Sequence, residues 1–505
     1  MNSLSIRTFI FNHLSPPVLK NKLIPLLLGP LTFALVLMFV KPEGLSEEGV
    51  AVLACTCWIA IWWISEATDI SVTALLPIIL FPLTGALDIG ATTASYGHKY
   101  VFLYLGGFIL AISIEKWNLH KRIALHIIKF VGTDVSKIIL GFMIATAFMS
   151  MWISNTATSV MMLPIGMAII AQLRDHPGTE VNENLIFGKA LMLSIAYSAS
   201  IGGIATLIGT PPNLVLAGVV QEIYGIEISF AQWMTFGLPL SLVLLGICWV
   251  YLTKFAFTFK KEKFKAGESE IKDLLKKLGV MSYEEKVVSL VFFITAFLWI
   301  SRSLILTDVF PHLDDTIIAM LSAVSLFLLR SKGGKGRLMT WEEAVKLPWG
   351  IIILFGGGLA LASGFQSSGL AVWIGEQLVS LAGVKLVLVL IILIAAVNFL
   401  TEITSNLATT AMLLPVLAPM AVSLDVHPFI LMVAATAAAS CAFMLPVATP
   451  PNAIVFGSGY LRIPDMARAG VGLNIISIFL ILLTVYFLLP MIWGFNPSVF
   501  PVDFQ

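Results

Sequence analysis

Apolar residues fill this chain in long runs, with few charges inside any of them. Runs near residues 23–40, 50–65, 71–87 and 100–114 suit membrane helices, which need about 20 apolar residues to cross roughly 30 Å of hydrocarbon. The stretch 115–129 differs: it sets Lys116, His120, Lys121, Arg122 and Lys129 among apolar residues, which predicts a helix lying in the membrane interface. Two further runs, 138–173 and 185–220, are interrupted. The first is broken around Trp152-Ile153-Ser154-Asn155-Thr156, the second by Gly202-Gly203 and by Gly209-Thr210-Pro211-Pro212-Asn213. Paired glycines and prolines predict broken helices there.

After a helix near 236–255, the charged stretch 260–286 marks a boundary between two halves. The second half repeats the first. Helices near 287–303, 316–329 and 350–365 lead to a run over 384–421 broken at Thr404–Thr410, a run over 428–460 broken at Ala448–Asn452, and a last helix near 470–492. SNTATSVMMLPIGMA from Ser154 matches SNLATTAMLLPVLAPMA from Ser405, and GTPPNLVLAG from Gly209 matches ATPPNAIVFG from Ala448. Two motifs recurring in one order argue for duplication. The fold expected is an all-α polytopic membrane protein of about eleven crossings plus two re-entrant hairpins, arranged as an inverted repeat.

Composition narrows the function. The 505 residues are 58% hydrophobic and 12% charged with a net charge of +1, which excludes a soluble protein and offers no phosphate-neutralising surface for a nucleic acid. Cys55, Cys57, Cys248 and Cys441 lie in apolar runs and suggest neither a disulfide framework nor a metal site. No cleaved targeting peptide is expected, since the first apolar run continues as a membrane helix. An enzyme is disfavoured: Asp314-Asp315 lacks a further acid at useful spacing, and neither a phosphate loop nor an H-E-x-x-H motif occurs. Basic residues at Lys20, Lys22, the 254–286 loop, the 330–337 loop, Arg462 and Arg468 fall on one side. They place the N-terminus in the cytoplasm and the C-terminus outside.

Irregular backbone at membrane depth is tolerated only inside protein or beside a watery cavity, so four broken elements point to one polar site near the midplane. Free carbonyls at helix C-termini suit a hard cation, and free N–H groups at helix N-termini suit an anion. Ser154, Asn155 and Thr156 supply side chains in the first half, Ser405 and Asn406 in the second. An Asn can give its carbonyl to sodium and its NH₂ to a carboxylate, coupling two ligands without a buried protein charge.

These paired motifs, with the string from Ser440 through Pro446 to Asn452 and Val455, resemble the divalent anion:sodium symporters, which carry dicarboxylates, citrate and sulfate with sodium. The resemblance implies one sodium site from Ser150, Ser154, Asn155 and the backbone at Gly203. It implies another from Thr401, Thr404, Asn406 and the backbone at Ala448. Substrate contacts would be Asn155, Thr156, Ser405, Asn406, Thr449 and Pro450. It also implies a homodimer in the lipid bilayer and an elevator motion of a transport domain against a scaffold. On that reading 1–22 is a cytoplasmic segment and 23–115 and 287–366 are scaffold helices. Residues 116–256 and 367–505 carry the hairpins and transport-domain helices, and 257–286 is a cytoplasmic linker.

One position departs from the family pattern: Leu407 stands where a Thr is usual, removing a hydroxyl from the substrate side. A C4 dicarboxylate such as succinate, malate or fumarate is the expected substrate, with sulfate or citrate, or sodium-independent exchange, as alternatives. Among ionisable residues in the spans, Glu66 and Asp69 read as a solvated turn, and Arg302 and Asp308 as interfacial anchors. Glu402 is a candidate to tune the second cation site. Trp58, Trp62 and Trp63 are expected to face lipid or a dimer partner.

Overall fold

The computed structural model describes residues 22–132, 134–172, 183–257, 265–332, 336–378 and 383–504. These residues fold as helices, and the β pairing among them is one isolated bridge between Arg330 and Arg337. Eight helices among them are long and apolar enough to cross a membrane, including Glu47–Ser65, Phe230–Ala256, Tyr283–Leu306 and Ile463–Trp493. Shorter apolar helices such as Leu23–Phe39, Ile70–Thr84 and Asp315–Leu328 supply further expected crossings. Serine caps start several of the long helices. Ser46, Ser229 and Ser282 each accept the backbone N–H of the third residue on, at 3.0–3.1 Å, using donors that a helix start leaves free.

Both halves run through the same series of elements. Each contains a hairpin of two helices, Val135–Ser150 with Asn155–Gln172 and Leu386–Leu400 with Asn406–Ser423. A broken helix follows each hairpin. Glu183–Gly203 stops at the glycine pair and Pro211–Tyr224 resumes at the proline pair; Pro428–Ala439 stops and Pro450–Phe456 resumes in the same way. The final helix of each half widens into a π-helical turn, at Tyr251–Ala256 and Thr484–Leu488.

Packing crosses between the halves. The Asn155–Gln172 limb touches Pro450–Phe456, while Pro211–Tyr224 touches Asn406–Ser423, so each hairpin leans on the broken helix of the other half. The Trp349–Ser367 helix lies against both Pro211–Tyr224 and Asn406–Ser423. Small residues permit that approach: a Cβ on Gly358 would sit 2.9 Å from Ala411 Cβ, and one on Gly218 2.9 Å from Leu359.

Several sequence expectations need correction. Arg302 is not an interfacial anchor. It is buried, pairs with Asp315 at 2.7 Å and with Glu227, and Lys99 adds ion pairs to Glu227 at 2.9 Å and Asp314 at 3.1 Å. Burial opposes ionisation of Asp314, yet the Thr316 N–H and the Lys99 ammonium outweigh it and hold the carboxyl below its usual range. This cluster ties the turn before Phe230 to helices Lys99–Lys116 and Asp315–Leu328. The basic stretch forms the helix Leu119–Val131, but only part of its charge faces outward: His120 is buried, Arg122 pairs with Glu285 at 2.9 Å, and Lys116 pairs with Glu343 at 2.7 Å. Trp63 does not face lipid; it is fully buried and donates from Nε1 to Ile70 O at 3.0 Å. The charged connection contains the helix Lys265–Leu278, which packs on Leu119–Val131 and on the Asn155–Gln172 limb.

Candidate ion and anion site

At the first hairpin tip the chain leaves one helix at Ser150 and enters the next at Asn155. Ser150 is fully buried, and its hydroxyl donates to Ala199 O at 2.7 Å. One amide atom of Asn155 lies 2.5 Å from Ser150 Oγ and 3.2 Å from the carbonyls of both Ala199 and Gly209. Turned with its nitrogen inward, the amide donates to all three. Turned with its oxygen inward, it completes a group of four converging oxygens, the donor set a hard cation takes.

The second tip repeats this geometry. Thr401 Oγ1, also fully buried, lies 2.7 Å from Asn406 Oδ1 and 3.0 Å from Ala439 O, with one hydrogen to donate to either. Hydroxyl and amide are five residues apart at both tips, because each hairpin turns through a short loop between two helix ends.

Backbone behind each tip is held by an asparagine from the Pro-Pro-Asn motif. Asn213 Nδ2 donates to Gly203 O at 3.1 Å, Ile204 O at 3.3 Å and Thr206 O at 2.7 Å; Asn452 Nδ2 donates to Ala442 O at 3.2 Å and Leu445 O at 3.0 Å. Gly203 comes close to the first tip, since a Cβ there would lie 2.7 Å from Asn155 Oδ1. Its carbonyl is one of the three that Asn213 engages. Tyr197 from one half and Phe443 from the other meet edge to face at 5.1 Å, which joins the two loops.

The other sequence-selected residues fall into three groups. Thr156, Ser405 and Asn406 sit half-buried at helix starts, and Ser405 makes no cap bond with its own helix. Ser154 Oγ accepts the Ala157 N–H at 3.2 Å, Thr404 Oγ1 meets Thr409 Oγ1 at 2.7 Å, and Thr449 Oγ1 accepts the Asn452 N–H at 3.3 Å; these serve their own helix ends. Ala448 is buried and Pro450 exposed beside Thr449, and Leu407 is buried in the apolar core.

Sequence reasoning missed the carbonyls of Ala199, Gly209 and Ala439, which backbone geometry alone selects. It also missed Asn213 and Asn452 as braces, although their recurrence in Thr-Pro-Pro-Asn was the available signal. Thr158 Oγ1 and Ser159 Oγ, one turn beyond the first tip, are buried without partners, whereas their counterparts Thr409 and Thr410 are bonded. Among the described residues no three His, Cys, Asp or Glu side chains gather to hold a metal ion. Neutral oxygens define the site.

Broken apolar helices meeting around neutral oxygens define a polytopic membrane transporter, since backbone left open at membrane depth needs a polar cavity to line. The chain belongs to the sodium:sulfate symporter family, the divalent anion:sodium symporters: residues 20–493 match the model of the sodium:sulfate symporter transmembrane region. It is 49% identical over 482 residues to the sodium-dependent dicarboxylate transporter SdcS of Staphylococcus saprophyticus, covering 94% of this chain and 93% of that one. Against SdcS of Staphylococcus aureus it is 49% identical over 486 residues, covering 95% and 94%. Two solved transporters share the fold. The Neisseria gonorrhoeae efflux pump MtrF gives a TM-score of 0.56 at 14% identity, over 95% of this chain and 98% of that one. The Alcanivorax borkumensis transporter YdaH gives 0.53 at 13%, over 80% and 87%.

Proposed function

We propose that this protein carries a dicarboxylate across the membrane together with sodium. The relatives that match it over almost their whole length bear the name of sodium-dependent dicarboxylate transporters. The observation that carries the reading is the duplicated tip, in which a buried hydroxyl, an asparagine amide and a backbone carbonyl converge at Ser150, Asn155 and Ala199 and again at Thr401, Asn406 and Ala439. Each tip holds one sodium ion among those oxygens. Ser154, Gly203, Thr404 and Ala448 complete the two shells.

The anion binds between the helix starts, where the N–H groups of Asn155, Thr156 and Asn406 and the Ser405 hydroxyl face it, with Thr449 and Pro450 beside them. The preferred anion is a C4 dicarboxylate. Because an asparagine amide offers oxygen to the cation and NH₂ to the carboxylate, an empty cation site leaves the anion site badly oriented, which couples the two fluxes. Two sodium ions with one dianion move no net charge, so a transport current requires a third.

Residues 23–115 and 287–366 form the scaffold, and the hairpins, broken helices and final helix of each half form a body that moves against it as an elevator in a homodimer. The N-terminus faces the cytoplasm and the C-terminus the outside. Uptake of labelled succinate into proteoliposomes tests the function. Uptake driven by an inward sodium gradient and lost in potassium is expected; equal uptake in potassium, or sodium-independent counterflow, would show exchange instead.

A further inference from the structure

The two tips differ at one buried position. The residue after Ser150 is Met151, whereas the residue after Thr401 is Glu402, only 3% exposed. The Glu402 carboxylate accepts the backbone N–H groups of Phe443 at 2.7 Å, Met444 at 2.9 Å and Leu445 at 3.0 Å, and Asn474 Nδ2 at 2.7 Å. As the Asn474 amide stands, all four contacts are donors, an arrangement that solvates the ionised carboxylate.

No Lys, Arg or His among the described residues pairs with Glu402, and its charge is met only by dipoles. In the first half the matching loop is held by uncharged donors on carbonyls. Thr206 Oγ1 donates to Met151 O at 2.5 Å, Trp233 Nε1 to Ile204 O at 2.9 Å and Ser241 Oγ to Ile201 O at 2.8 Å. The second tip therefore has a buried acid next to it in the chain, whereas the acid beside Ile153 and Thr158 at the first, Glu115, is exposed. Inside protein such a charge acts far more strongly than in water, and it favours a cation next to it.

We infer that Glu402, held by the backbone of residues 443–445, makes the Thr401–Asn406 tip the tighter sodium site and the one filled first, with the Ser150–Asn155 tip filled after it. Glu402 is thus a positioning residue that acts through its field and through the loop it holds. This rests on both tips being sodium sites.

The test is thermal unfolding of the purified full-length protein in potassium with rising sodium and no dicarboxylate. Sodium alone raises the melting temperature of the wild type, and Glu402→Gln needs roughly tenfold more sodium to reach half the rise. Glu402→Asp keeps the charge and stays within about threefold of wild type. In proteoliposomes the Gln variant shows the same increase in the sodium needed for half-maximal uptake, while KM for succinate at saturating sodium is unchanged. A lower melting temperature in potassium with an unaltered sodium half-point would overturn the inference and leave Glu402 a structural brace. Should the Gln variant not accumulate, Thr401→Ala and Ser150→Ala decide. Loss of the sodium-only rise in Thr401→Ala with its retention in Ser150→Ala supports the order given, and equal or reversed losses overturn it. If neither substitution changes the rise, the assignment of the tips to sodium fails first.

Discussion

At the first tip, Ser150, Asn155 and two carbonyls meet beside a loop braced by neutral donors; at the second, Thr401, Asn406 and one carbonyl meet beside a loop braced by an anion. Oxygen geometry was kept through the duplication while the surroundings diverged. Coordination by a hydroxyl, an amide and a carbonyl fixes what kind of ion fits, whereas the charge behind it sets how tightly that ion is held. On the proposed assignment of both tips to sodium, the same cation is bound twice with unequal affinity. The helix starts diverged as well: half-buried Thr156 in one half is matched by buried Leu407 in the other.

The largest effect is expected from removing each asparagine side chain in turn. On the proposed assignment, Asn155→Ala and Asn406→Ala each remove a cation ligand and an anion donor, and sodium-driven uptake should fall on the order of 100-fold for both, about 3 kcal/mol apiece. Normal uptake from either variant would mean that the tips are not equivalent. Next come the braces. Asn213→Ala frees three carbonyls and Asn452→Ala two, so both lower stability by about 1–3 kcal/mol, with Asn213→Ala the costlier in thermal unfolding. The smallest effect concerns selectivity. Leu407→Thr should shift the ratio of succinate to sulfate KM by up to roughly tenfold, the worth of one hydrogen bond to an anion, with little change in sodium dependence.

Much of this architecture could be read from the chain because apolar runs and Gly-Gly or Pro-Pro breaks act locally. The helix end at Gly203 and the restarts at Pro211 and Pro450 fall at those residues, whereas the end at Ala439 comes nine residues before the expected break at Ala448 and carries no glycine or proline signal. Asn155 and Asn406 were legible because the Ser-Asn motif recurs. What escaped was long-range. Arg302 looked like an interfacial anchor because its partner Glu227 lies far away in sequence, and Trp63 looked lipid-facing because its burial depends on neighbouring helices. Carbonyl ligands such as Ala199 and Ala439 carry no side-chain signature at all. Glu402 stood out as a charge in an apolar run, but only the fold shows that it grips the loop of residues 443–445 instead of facing the substrate.

An experimental structure determined in sodium and succinate would decide between these readings. It should show one cation among Ser150, Asn155, Ala199 and Gly209, another among Thr401, Asn406 and Ala439, and the dianion between Thr156 and Ser405. Succinate bound away from both tips, or tips whose amide nitrogens still point at the carbonyls with sodium present, would contradict the proposed assignment.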